Sequence, residues 1–307
     1  TIVYVSGTGF KNTSNLYCRF GTLSAVHGVY ISSTNVSCVS PMYQIGTISV
    51  EVTTNGVDYS EDMVQYRYYA SPAISHIVPS SGPTEGGTVV SVYGRNFIDS
   101  DSLYCRFGND STVAGRWVSS DRVECQTPSM VASNVVVEVT NNGFDYTANR
   151  VEFTVLPESV VTSVDPTFGP VGTSTSVTVH GSGFVFSRSL YCRFGLLSVA
   201  AMFVNDTMVV CSAPDAAQGS VDVRVSSNGV DYSKTSASYE YVDAHHVHDV
   251  LPRSGSTNGG TIVYVSGTGF KNTSNLYCRF GTLSAVHGVY ISSTNVSCVS
   301  PMYQIGT

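Results

Sequence analysis

The chain has 307 residues, of which 12% are charged, and a formal net charge of -7. Charge that sparse is about half the usual share of a soluble domain, and with no cluster of lysines and arginines it excludes a phosphate-tracking nucleic-acid binder. No apolar run approaches the roughly 18 residues needed to cross a bilayer as a helix, so nothing within this sequence reads as a membrane span.

Taken in chain order, the predicted elements begin with a strand that ends in Gly7-Thr8-Gly9-Phe10. Leu16-Tyr17-Cys18-Arg19-Phe20-Gly21 follows and alternates, with Leu16, Cys18 and Phe20 on one face and Tyr17 and Arg19 on the other. The apolar set must face a core. Val36 and Cys38 share the inward face of the next strand, which turns Asn35 and Ser37 to solvent. A strand over Ile48-Ser49-Val50-Glu51-Val52 runs into Asn55-Gly56-Val57-Asp58-Tyr59. Asn-Gly between alternating strands predicts a tight hairpin in which both turn residues take positive φ.

The same order then returns. Pro79-Ser80-Ser81-Gly82 precedes Gly86-Gly87-Thr88, Pro166-Thr167-Phe168-Gly169 precedes Gly172-Thr173, and Pro252-Arg253-Ser254-Gly255 precedes Gly259-Gly260-Thr261. Gly94/Phe97, Gly181/Phe184 and Gly267/Phe270 repeat the strand end, and Asn142-Gly143-Phe144-Asp145-Tyr146 and Asn228-Gly229-Val230-Asp231-Tyr232 repeat the turn. Val221, Val223 and Val225 alternate with Asp222 and Arg224 before the last of these. No segment holds a 3.6-residue apolar period. The fold class is therefore all-β, with tandem sandwiches of about seven short strands each.

The cysteines set the period. They fall as Cys18/Cys38, Cys105/Cys125, Cys192/Cys211 and Cys278/Cys298, and the first of each pair recurs after 87, 87 and 86 residues. Four domains follow: 1–69, truncated at its start, 70–156, 157–242, and 243–307, truncated at its end. Residues 261–307 repeat residues 1–47 without a substitution, so three domains make a larger period of 260 residues. Beginning and ending inside a repeat predicts either a longer polypeptide or copies that complete one another. One pair per domain, 19 or 20 apart, reads as four disulfides rather than as a zinc site, which wants closer spacing. Disulfides imply an oxidising compartment. Sequons at Asn12, Asn35, Asn109, Asn205, Asn272 and Asn295 agree with it and predict covalent N-glycans on a secreted or cell-surface chain.

Together, Pro-x-x-Gly, Gly-Gly-Thr, Gly-x-x-Phe, Cys-x-Phe-Gly, the second cysteine followed by proline (Cys38/Pro41, Cys125/Pro128, Cys211/Pro214) and Asn-Gly-x-Asp-Tyr resemble the IPT/TIG domain. That resemblance implies the immunoglobulin-like fold of plexins, fibrocystin-type receptors and Rel-type transcription factors. The cysteines and sequons place these copies with the extracellular branch, and the basic DNA-reading loops of the other branch have no counterpart here.

Candidate sites are few. Outward Tyr/Arg pairs at Tyr17/Arg19, Tyr104/Arg106, Tyr191/Arg193 and Tyr277/Arg279 are either a contact stripe, through stacking and cation–π attraction, or ordinary cross-strand pairing. His246 and His248 share a face in an extended segment, as two metal ligands could, but no carboxylate or cysteine beyond Asp243 and Asp249 stands near to complete a site. Asp99/Asp101 and Asp243/Asp249 lie near turns or linkers and lack the dense Asp/Asn/Gly loop of a calcium site, so they read as turn chemistry. No catalytic constellation appears and no cofactor is expected, so an enzyme is not predicted. Two functions remain. The exact recurrence favours a structural subunit of a glycosylated extracellular filament or surface appendage, with copies of itself as partners. The alternative is the ectodomain of a receptor or adhesin that binds a protein or glycan.

Overall fold

A computed structural model describes residues 1–303 apart from residue 110. The last four residues of the 261–307 copy and the middle residue of the Asn109 sequon lie outside it. Every regular element among the described residues is a β-strand, and they gather into four sheets. The chain forms two compact units, Thr1–Pro157 and Glu158–Thr307.

The second domain shows the plan in full. Ala73–Val78, Val89–Arg95 and Arg122–Gln126 form one half, and Tyr104–Phe107, Ser133–Thr140 and Val151–Leu156 form the other. The long strand Ser111–Ser119 joins them. Its first residues, Ser111 to Ala114, pair with Tyr104–Phe107, and from Gly115 onward it pairs with Arg122–Gln126. The Pro79 turn leads into the three-residue strand Ser81–Pro83, which lies parallel to Val151–Leu156 and adds an eighth strand to the seven expected. The third domain repeats this order between Val160 and Val242.

Alternation produces the core. Val90, Val92, Cys105, Phe107, Val123, Cys125, Val137, Val139 and Phe153 are all 2% exposed or less, because every second side chain of each strand points between the halves. The four disulfides cross this core from one half to the other: Cys18–Cys38, Cys105–Cys125, Cys192–Cys211 and Cys278–Cys298, with Cα atoms 6.2–6.3 Å apart.

The Asn-Gly turn departs from the expected hairpin. Of the two turn residues only the glycine takes positive φ, at Gly56, Gly143 and Gly229. The asparagine side chain makes the turn instead: Asn55 Oδ1 accepts from the backbone N–H of Val57 and of Asp58, both at 2.9 Å, and Asn55 Nδ2 donates to Asp58 Oδ2 at 2.8 Å. Asn142 and Asn228 do the same. An asparagine that bonds its own backbone two and three residues on holds the turn without a tight reversal, and the partner strand returns later, at Val64–Tyr68.

In the first domain Gly46–Thr53 pairs with Tyr17–Phe20, and Leu16, Cys18 and Phe20 are buried. In the fourth, Val263 and Val265 are buried under His246–Leu251, and Ser266 donates to the carbonyl of Asp249 at 3.2 Å.

Tyr239 and Tyr241 close the core of the third domain, each 1% exposed, their rings 5.1 Å apart edge to face. Burial above all, with Tyr239 and Asp215 adding to it, pushes the Tyr241 phenol up to about 12, and its hydroxyl has no hydrogen-bond partner among the described residues. Below the ordinary tyrosine value of about 10 both folded and unfolded chains keep this proton. Between there and about 12 the unfolded chain releases it while the fold retains it, so stability falls as pH rises through that window. Tyr241→Phe is expected to flatten that fall in urea unfolding and to cost less than about 1 kcal/mol at neutral pH, since it removes an unpaired buried hydroxyl.

Candidate interaction surface

The recurring Cys-Arg-Phe strand puts its arginine on the outer face of the sheet, where two distant segments meet it. Arg19 donates through Nε and Nη2 to Glu51 Oε2, at 2.8 and 2.5 Å, and its guanidinium lies 4.0 Å above the ring of Tyr59. Glu51 is its direct neighbour across the strands, and Tyr59 closes the Asn-Gly-x-Asp-Tyr turn. Arg106 repeats the arrangement with Glu138, at 2.8 and 2.5 Å, and Tyr146, at 3.9 Å. A forked guanidinium held by a carboxylate edge-on and an aromatic face below is well organised for both contacts. The glutamate was not singled out from the sequence, yet it stands 32 residues after the arginine in both domains, a spacing that could have marked it.

Arg19 and Arg106 are thus engaged inside their own domains. A double-mutant cycle of Arg106→Gln with Tyr146→Leu, followed by urea unfolding, is expected to give a coupling of about 0.5–1 kcal/mol, the range of half-exposed ion and cation–π pairs. Of the tyrosines on the same face, Tyr17 and Tyr277 sit edge-on to His27 and His287 at 5.5 and 5.6 Å, and Tyr104 and Tyr191 are half-buried. Arg279 is exposed. Arg193 keeps the aromatic contact, 4.1 Å from the Tyr232 ring, but the residue facing it is Arg224.

The sequon asparagines Asn12, Asn109, Asn205, Asn272 and Asn295 are exposed, and Asn35 is half-buried, its Nδ2 donating to Thr34 Oγ1 at 3.1 Å. His246 and His248 are exposed on the strand His246–Leu251. A bulge between Val247 and Asp249 takes His248 out of the pairing register, so plain alternation does not set the two rings' relation. No group of three or more His, Cys, Asp or Glu suited to a metal occurs among the described residues.

Contacts also link domains within each unit. In the first, Tyr4 and Phe144 stand 5.9 Å apart, and a groove of about 900 Å³ is lined by Tyr43, Tyr66, Tyr68, Tyr69, Arg67 and Arg95 among others. Burial, reinforced by Asp145 and Tyr66, raises the Tyr69 phenol to about 12. In the second, Lys271 Nζ reaches Glu240 Oε2 at 2.6 Å and lies 5.3 Å from the Phe168 ring.

The IPT/TIG domain model matches this chain four times, over residues 1–68, 72–155, 159–241 and 246–307. The chain belongs to the IPT/TIG domain family. Fibrocystin-L of Mus musculus is 25% identical over 304 residues, 92% of this chain and 7% of that protein. Plexin-2 of Caenorhabditis briggsae is 27% identical over 215 residues, 65% of this chain and 12% of that protein. The chain therefore spans a small part of the curated relatives it matches. The structure of the plexin A4 full extracellular region covers 100% of this chain with 33% of its own, at 14% identity and a TM-score of 0.42.

The IPT/TIG motifs are packing devices. A Cβ on Gly94 would stand 2.0 Å from the carbonyl oxygen of Ala73 and 2.7 Å from the Phe97 ring; on Gly181 it would stand 1.8 Å from the oxygen of Val160 and 2.7 Å from the Phe184 ring. Gly-x-x-Phe thus lets a neighbouring strand's backbone approach while the phenylalanine folds back as a lid. Gly82, of Pro-x-x-Gly, would place a Cβ 2.3 Å from Thr88 Oγ1, so it makes room for the threonine of Gly-Gly-Thr.

Proposed function

We propose that this chain is a section of the ectodomain of a cell-surface receptor or adhesin, a non-catalytic array of IPT/TIG domains that presents outer faces and loops to a protein or glycan partner. The observation that carries the reading is the alignment with Fibrocystin-L through all four domains, over 92% of this chain. A disulfide in every domain supports an oxidising, extracellular setting, and the exposed sequons suit N-glycans there. The test is staining of intact cells with an antibody raised to residues 70–157, together with the mass of the purified protein before and after glycosidase. Labelling of unpermeabilised cells and a mass loss on deglycosylation are expected. Labelling only after permeabilisation, with no mass change, would overturn the reading.

One observation favours a second reading. The unbroken identity of residues 1–47 and 261–307 suits a filament or appendage built on a three-domain period, with copies of the chain as partners. Electron microscopy of native material separates the two: a helical reconstruction with a three-domain axial repeat supports the filament, and discrete particles support the receptor or adhesin.

A further inference from the structure

The arginine of the Cys-Arg-Phe strand is met by a carboxylate in the first two domains and by a second arginine in the third. Arg19 faces Glu51 and Arg106 faces Glu138, whereas Arg193 faces Arg224. The aromatic contact is kept. Arg193 still lies over the turn tyrosine, at 4.1 Å, and the Tyr232 hydroxyl is fixed by Ser198 Oγ at 2.8 Å. What is missing is the acceptor. Arg193 Nε is buried without a hydrogen-bond partner among the described residues. Arg224 is held from the side, its Nη1 donating to the carbonyls of Ser233 and Lys234 at 2.8 and 2.6 Å, its Nη2 meeting Asp222 Oδ2 only at 3.3 Å.

Two like charges directly opposite on neighbouring strands repel, and a guanidinium N–H without an acceptor carries an unrecovered desolvation cost. An anion placed between them relieves both. We infer that Arg193 and Arg224 form a binding site for a carboxylate supplied from outside the domain, taking the place that Glu51 and Glu138 occupy in the sister domains. The ligand approaches over Arg224, whose side chain is 28% exposed, and displaces the 3.3 Å contact with Asp222, itself 61% exposed and free to turn to solvent. The same carboxylate chemistry is carried by an acidic sugar and by an acidic side chain of another polypeptide. The site stands whether the array serves a receptor or a filament.

Isothermal titration of the whole chain at constant ionic strength, with acetate, glucuronate, a glutamate-containing tripeptide and neutral glucose, tests this. Weak binding of the carboxylates and none of glucose is expected. Arg224→Glu restores the pair seen in the first two domains; it is expected to raise the melting temperature and to weaken carboxylate binding at least tenfold. Arg193→Gln should weaken binding as much without that gain, and Arg106→Gln should leave it unchanged. Tighter binding of glucuronate than of the tripeptide points to an acidic glycan, and the reverse points to a protein side chain; equal binding of all three carboxylates supports the site as well. Absence of binding by every carboxylate, or binding unaltered in both Arg224→Glu and Arg193→Gln, would overturn the proposal.

Discussion

Replacing Gly94 with alanine is expected to destabilise the second domain by about 3 kcal/mol or more, at the upper end of what overpacking costs. The reason is steric and lies in the backbone. The added methyl would fall 2.0 Å from the Ala73 carbonyl oxygen, and the Phe97 ring, at 2.7 Å, closes the other side. A side chain can rotate away from a new neighbour, but a strand carbonyl cannot move without breaking the pairing of Ala73–Val78 with Val89–Arg95. For a domain of this size the loss corresponds to a fall in melting temperature of more than roughly 10 °C. Gly181→Ala should behave alike, since the Val160 oxygen lies at 1.8 Å. A change below about 1 kcal/mol in urea unfolding would show that the first strand slides freely and that the Gly-x-x-Phe motif has another purpose.

Removing the second domain's disulfide by Cys105→Ala with Cys125→Ala is expected to cost a similar amount. The bond closes a loop with a sequence separation of 20, which the chain-entropy account values at about 3 kcal/mol. Both cysteines are 1% exposed or less, so the substitution also strips packing from the centre of the sandwich. The bond fastens Tyr104–Phe107 in one half to Arg122–Gln126 in the other, strands that otherwise communicate through the bend of Ser111–Ser119. The midpoint of urea unfolding should fall with little change in its slope, and the same loss should follow reduction of the native protein. An unchanged midpoint would mean that the strand pairing alone holds the halves together.

Much of this was legible in the residues. Period-two alternation around Cys18, Cys105 and Cys192 placed the core face, because a strand's side chains can only alternate. The cysteine spacing marked the disulfides, because each domain contains one pair and no other cysteine. The Asn-Gly turn differs from the tight hairpin its letters suggest: local signals specify positive φ for glycine, but the asparagine bonds its own backbone instead of joining it, and the partner strand returns only later. The Tyr/Arg face was legible as a pattern and not as chemistry. Arg19 and Arg106 are absorbed by a glutamate 32 residues away and by a turn tyrosine, and only the pairing register shows that Arg193 meets an arginine instead.

By itself the sequence determined the fold class, the period and the inward face of each strand, since these follow from repetition and from the geometry of an extended chain. The outward arginines show what it could not determine. They recur at one position of the same motif, but Arg19 and Arg106 face Glu51 and Glu138 where Arg193 faces Arg224. Pairing in a sheet belongs to the neighbouring strand as much as to the residue. Only the tertiary structure decided which side chain each outward arginine meets, because the register joins residues some thirty positions apart.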